Sequence, residues 1–144
     1  MLVSQILKSK SDDAVVTSLP SLKVSQAARI LSDKRIGTLV ISDDGKTPLG
    51  ILSERDIVRE LGKQGGGCLD LTVDQLMTKK LVTCSLDDRT DAILQKMTDG
   101  RFRHMPVLKD GALVGLISLG DVVKARMSQL AMEKDALEGM IMGH

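Results

Sequence analysis

The chain has 144 residues, 42% hydrophobic and 27% charged, which is globular material for one domain or two small repeats sharing a core. Its 20 basic and 19 acidic residues leave a net charge of +1, without the basic field of a nucleic-acid binder or a basic amphipathic stretch for a membrane surface. The opening residues, Met1 to Asp13, acquire charges within ten positions and read as neither signal peptide nor membrane span.

In chain order, Val15–Thr17 reads as a short strand, and Val24–Lys34 carries Ala27, Ala28, Ile30 and Leu31 at helical spacing. Thr38–Ser42 and Pro48–Leu52 read as strands around an Asp-Asp-Gly turn. Glu54–Leu61 reads as a helix stopped by Gly62, and Gly62–Gly67 as a glycine-rich linker. At the far end, Asp121 to about Met142 reads as one long helix. Val122, Val123, Met127, Leu130, Leu137 and Ile141 form its apolar face. With one Phe and no Trp or Tyr, aliphatic residues and 8 Met build the core.

The two halves echo each other. Val3-Ser4-Gln5-Ile6-Leu7 returns as Val73-Asp74-Gln75-Leu76-Met77, and Val16-Thr17-Ser18-Leu19 as Val82-Thr83-Cys84-Ser85-Leu86. Arg35-Ile36-Gly37-Thr38 returns as Arg101-Phe102-Arg103-His104, and Asp44-Gly45 as Asp110-Gly111. Gly50-Ile51-Leu52-Ser53-Glu54-Arg55-Asp56 returns as Gly115-Leu116-Ile117-Ser118-Leu119-Gly120-Asp121. The offset is 66 from Thr17/Thr83 to Gly45/Gly111 and 65 beyond the hairpin. Each copy therefore reads as βαββα, an α+β fold, with repeats over 1–66 and 67–125 and a helical extension over 126–144. At roughly 60 residues, one copy buries only about 60% of its unfolded surface; two packed together make a viable core.

The motif Gly-h-h-Ser-x-x-Asp (h apolar) occurs twice. Ser-x-x-Asp between a strand and a helix is a capping box, and that structural role suffices for one isolated copy. The same corner concentrates free backbone N–H groups and the positive helix end, which suit phosphate. Its acid is also placed to accept bonds from ribose hydroxyls.

Over nearly its full length the chain resembles a pair of cystathionine-β-synthase-type (CBS) domains. The residues that carry the resemblance are the two Gly-h-h-Ser-x-x-Asp motifs, Ser53–Arg59 (Ser-Glu-Arg-Asp-Ile-Val-Arg) and Arg101–Val107 (Arg-Phe-Arg-His-Met-Pro-Val). It implies two repeats related by a pseudo-two-fold axis, assembled as a homodimer. It also implies an adenosine nucleotide (AMP, ATP or NAD type) bound between the repeats. Carried over by position, Asp56 and Asp121 hold ribose hydroxyls, and Ser53 and Ser118 lie near phosphate or ribose. Thr17, Thr83, Ile36 and Phe102 flank adenine, and Thr38 and His104 face the phosphates. Gly37 against Arg103, and Arg55 against Gly120, make the two sites unequal.

Other readings compete at several residues. Arg101–His104 as a nucleic-acid patch lacks aromatic neighbours and a wider basic field. His104 as a catalytic base has no sequence-linked nucleophile. His144 is only the terminal residue. Cys68 and Cys84 have no Cys-x-x-Cys partner or metal spacing and fit a reduced cytoplasmic setting with no metal. Met127, Met132, Met140 and Met142 form either a promiscuous partner surface or part of a homodimer contact. The expected function is a non-catalytic nucleotide sensor acting on a downstream protein. The alternative is a constitutive dimeric scaffold with nucleotide as structural cofactor.

Overall fold

The computed structural model describes residues 1–10 and 15–141. In order, the elements are α1 (Val3–Ser9), β1 (Thr17–Ser18), α2 (Val24–Lys34), β2 (Thr38–Ile41), β3 (Gly50–Ser53) and α3 (Glu54–Gln64). A 3-10 helix over Gly65–Asp70 leads to α4 (Val73–Leu76), β4 (Cys84–Ser85), α5 (Thr90–Gly100), β5 (His104–Lys109), β6 (Ala112–Ser118) and α6 (Leu119–Ile141). Two three-stranded sheets have the same order, β1-β2-β3 and β4-β5-β6. In each, the first strand runs parallel to the second, which is antiparallel to the third. Parallel pairing needs a crossover, supplied by α2 and α5. The hairpins turn at Gly45 and Gly111, with φ of 76° and 80°. The fold is α+β, βαββα twice over.

Helix α2 matches its expected span because Val24, Ala27 and Leu31 fall on one buried face. Other boundaries move. The first strand is Thr17–Ser18 rather than Val15–Thr17, paired with Val40 and Ile41. The hairpin strands run Thr38–Ile41 and Gly50–Ser53; Pro48 has no N–H to give a ladder. Gly62 does not stop α3, which continues to Gln64. A mid-helix glycine costs only about 1 kcal/mol. Instead of an irregular linker, Gly65–Asp70 winds as a 3-10 helix that buries Cys68. The last helix starts at Leu119 rather than Asp121; its expected end at Met142, and His144, lie outside the described residues.

The leading helices are exchanged between the halves. Val3 and Ile6 of α1 pack with Ile93, Met97, Met105, Ile117 and Val122 of the second half. Val73 of α4 packs with Val24, Leu39, Leu52 and Ile57 of the first. Matching backbone bonds fix both arms: Val3 N donates to Asp88 O at 2.9 Å, and Val73 N to Leu22 O at 2.8 Å. The arms also explain the glycine that opens each Gly-h-h-Ser-x-x-Asp motif. A Cβ at Gly50 would collide with the Met77 side chain, and one at Gly115 with Leu7.

Helix α6 leaves the core early. Val122 is buried, with Leu119 and Ala125 packed beside it. The rest of the expected apolar face is open in the single chain: Met127 is 66% exposed and Ile141 77%.

Candidate functional site

Each Ser-x-x-Asp forms the capping box that its spacing implies. Asp56 N donates to Ser53 Oγ at 3.2 Å, and Ser53 N to Asp56 Oδ2 at 2.8 Å. In the second copy, Asp121 N donates to Ser118 Oγ at 3.1 Å, and Ser118 N to Asp121 Oδ2 at 2.9 Å. The helix starts are then tied to the second strands: Glu54 N donates to Gly37 O at 2.9 Å, and Leu119 N to Arg103 O at 2.7 Å. Each tie sets a carboxylate and a positive helix end beside the strand that enters the sheet.

Two clefts open between the halves, and each takes its walls from both. The first, of about 620 Å³, joins Ser53, Arg55, Asp56 and Arg59 of the first half to Lys80, Leu81, Val82 and Phe102 of the second. The second, of about 490 Å³, joins Ser118 and Leu116 to Lys10, Val15, Val16 and Ile36. A capped Ser-x-x-Asp corner thus faces an apolar wall from the other repeat, with Asp56 lining the first cleft and Ser118 the second. Gly37 and His104 line both clefts.

At the junction, Thr38 Oγ1 lies 3.1 Å from Nδ1 and 3.2 Å from Nε2 of His104. These are matched residues of the two repeats, in contact across the pseudo-two-fold axis. An oxygen equidistant from both ring nitrogens is in line with neither the ring N–H nor the ring lone pair, so the bond is weak and open to exchange. Burial pushes the His104 imidazole below its ordinary pKa; Lys10 and Arg103 act in the same sense against Asp121 and Glu54.

The acids differ in their partners. Asp56 Oδ1 accepts from Arg59 Nη2 at 2.5 Å. Asp121 Oδ2 accepts from Lys10 Nζ at 2.9 Å. Burial by itself would raise the Asp121 carboxyl, but the Ser118 amide and the Lys10 ammonium outweigh it and hold the group below the usual carboxylate value.

Of the residues singled out from sequence, Ser53, Arg55, Asp56, Phe102 and Arg103 stand together in the first cleft. Ile36, Thr38 and Ser118 stand in the second, and Asp121 is held at its edge by Lys10. Thr17 and Thr83 are not among the lining residues, whose places are taken by Val15, Val16, Leu81 and Val82. The structure adds Lys10, Lys34, Arg59 and Lys80 to the candidate site. Two of them leave a signal in the sequence: Lys10 and Lys80 come after Leu7 and Met77 by the same three residues. Cys84 lies in β4, and burial pushes its thiol up to about 12, which keeps it protonated and unreactive at neutral pH. Among the described residues, no group of three or more His, Cys, Asp or Glu could hold a metal ion, and no helix is long and apolar enough to cross a membrane.

The family model for the CBS domain matches residues 3–63 and 73–128, one match per half. The chain belongs to the CBS-domain family. The CBS-domain containing protein ATU1752 of Agrobacterium tumefaciens shares the fold with a TM-score of 0.82 and 42% identity, over 88% of this chain and 99% of that one. The mitochondrial CBS domain-containing protein CBSX3 of Arabidopsis thaliana is 32% identical over 98% of this chain and 72% of its own length. The CBS domain pair of protein MJ0100, solved in complex with 5′-methylthioadenosine and S-adenosyl-L-methionine, has a TM-score of 0.77 and 25% identity, over 90% of this chain and 98% of that one.

Proposed function

We propose that this CBS pair is a non-catalytic sensor that reversibly binds adenosine nucleotides (AMP, ATP or NAD type) and relays occupancy to a downstream protein. The carrying observation is that each cleft sets a capped Ser-x-x-Asp corner from one repeat against an apolar wall from the other, with Asp56 lining the first cleft and Asp121 tied to Lys10 at the edge of the second. The carboxylate suits ribose hydroxyls, the helix start suits phosphate, and the wall suits a base. That the MJ0100 pair holds two adenosine compounds supports the reading.

A homodimer is part of this proposal. Val123, Met127, Leu130, Leu137 and Ile141 are exposed on α6, and with Lys134 they are spaced alternately four and three apart, as in a helix-pairing seam. Such a stripe calls for a cover. Cytoplasmic placement is proposed on two buried, unpaired cysteines, Cys68 and Cys84, which fit a reducing compartment.

The test exploits the composition. With no Trp or Tyr, the polypeptide is nearly transparent at 280 nm, and an adenine band near 260 nm reports bound nucleotide directly. Acid extraction of protein purified without added ligand names the compound. Where binding is micromolar, about −8 kcal/mol, ligand is lost on purification, and added nucleotide is followed by thermal midpoint. At 100 times its dissociation constant a ligand stabilises by about 2.7 kcal/mol, several degrees at this size. If no adenosine compound at millimolar concentration gives a band or a shift, the chain is a scaffold.

A further inference from the structure

Lys10 is the residue that closes α1, its backbone N–H donating to Leu7 O at 3.3 Å. Its side chain crosses to the second cleft, where Nζ donates to Leu116 O at 3.0 Å and to Asp121 Oδ2 at 2.9 Å. Both partners are partly shielded, with the side chains 31% and 25% exposed. Lys10 therefore occupies the carboxylate oxygen that already accepts the Ser118 amide. Any hydroxyl seeking that oxygen must compete with an ammonium.

We propose that Lys10 is a specificity-determining residue that makes the Asp121 cleft select phosphorylated adenosine compounds over uncharged ones. The inference rests on the nucleotide reading above. A ribose that takes Asp121 Oδ2 displaces the ammonium from its counter-ion. If the ligand is uncharged, Lys10 is left half-buried without an anion, and that loss opposes binding. If the ligand carries a phosphate, the ammonium exchanges one anion for another inside the same cleft and gains a charge-assisted bond. The latch thus discriminates in two ways, by penalising the neutral ligand and by rewarding the charged one.

The repeat supplies an internal comparison. Lys80 stands at the matching place after α4 and lines the first cleft, but among the described residues it forms no ion pair, and Asp56 is held by Arg59 from its own helix. Lys80 can reward phosphate; it does not lock the acid.

The experiment titrates AMP and adenosine by calorimetry into chains carrying D56N, so that the Asp121 cleft dominates the signal. Lys10→Met is expected to tighten adenosine and weaken AMP, lowering the preference for AMP by about tenfold or more, the size of one charge-assisted bond. Lys10→Gln, which keeps a polar end, shifts it the same way should the Met variant fold poorly, and Lys10→Arg keeps the wild-type preference. A preference for AMP that is unchanged in both Lys10→Met and Lys10→Gln overturns the role of Lys10 while leaving nucleotide binding intact. Absence of binding of AMP, ATP, NAD and adenosine alike to the unmodified chain overturns the nucleotide reading, and the role of Lys10 with it.

Discussion

The two clefts share a backbone and differ in charge. Both are built on a Ser-x-x-Asp cap, with the helix start tied to the neighbouring strand through Glu54 N to Gly37 O in one and Leu119 N to Arg103 O in the other. Yet the Asp56 cleft gathers Arg55, Arg59, Lys80, Arg101 and Arg103, whereas the Asp121 cleft has Lys10 and Lys34, and Lys10 is engaged by Asp121. Packing and hydrogen bonding dictate the cap, so it is the same in both copies. The second residue inside the Ser-x-x-Asp spacing is exposed in both copies and not dictated by the core, and there Arg55 stands against Gly120. Duplication repeats the cap in both clefts, and the unconstrained positions set the charge of each.

The largest expected effect comes from removing the acids. Asp56→Asn or Asp121→Asn keeps the side-chain shape and loses the charged acceptor, weakening its own cleft by about 1.5–3 kcal/mol. Calorimetry on each variant reads which cleft is lost, and two undiminished sites in the double variant would remove both acids from the binding reading.

The arms that wall the clefts give the next contrast. A Cβ at Gly50 meets Met77 Sδ and also Thr78 backbone oxygen, while one at Gly115 meets only the flexible end of Leu7. A side chain yields more readily than backbone, so Gly50→Ala is expected to destabilise by about 2 kcal/mol and Gly115→Ala by about 1 kcal/mol. Urea midpoints check the order. Equal costs would show that α1 and α4 dock with the same rigidity.

Smaller again is the phosphate preference of the cationic cleft. Replacing Arg103 and His104 together by Ala is expected to weaken ATP by about 1 kcal/mol more than adenosine, the scale of a partly exposed charged donor. Equal losses for the two ligands would place these side chains away from the phosphates.

The range of each interaction decides how much of this is legible in the sequence. Local signals are strong where one residue's neighbours decide its state: Ala27 and Leu31 on one helix face, Asp44-Gly45 in a turn, Ser53-x-x-Asp56 at a cap. Gly62 misleads because a glycine within a helix is a weak penalty that packing overrides. The exchanged arms are illegible because the contacts of Leu7 with Gly115 and of Met77 with Gly50 join distant segments, and no periodicity records them. Thr17 and Thr83 stand out by position in the repeat, yet the lining residues precede them, a shift that only the strand register reveals. Lys10 leaves a trace in its match to Lys80, but its bond to Asp121 needs the docked arm.

The smallest expected effect tests the junction that both clefts share. His104 has its pKa lowered in the folded chain, first by burial and then by Lys10 and Arg103, while in the unfolded chain it titrates near its ordinary value of about 6.5. Below that value the unfolded chain binds more protons than the folded one, so stability falls as pH drops through about 6.5 and continues to fall until the folded-state pKa is passed. Above it, His104 contributes no pH dependence. Asp121 does not confuse the measurement: its carboxyl is lowered in the folded chain, so its contribution is present above the ordinary carboxylate value of about 3.9 and is lost only below it. Urea midpoints taken between about pH 7 and pH 5 isolate the imidazole. The unmodified chain is expected to lose stability over that interval, and His104→Gln, which keeps a polar group beside Thr38 but does not titrate, is expected to lose less. Bound phosphate should oppose the effect, because an anion beside the ring favours imidazolium and binding then takes up a proton. With ATP saturating, the difference between the two chains over the same interval should shrink. A fall of equal size in both chains without ligand would show that the half-buried imidazole at the pseudo-two-fold axis is not what acid attacks first.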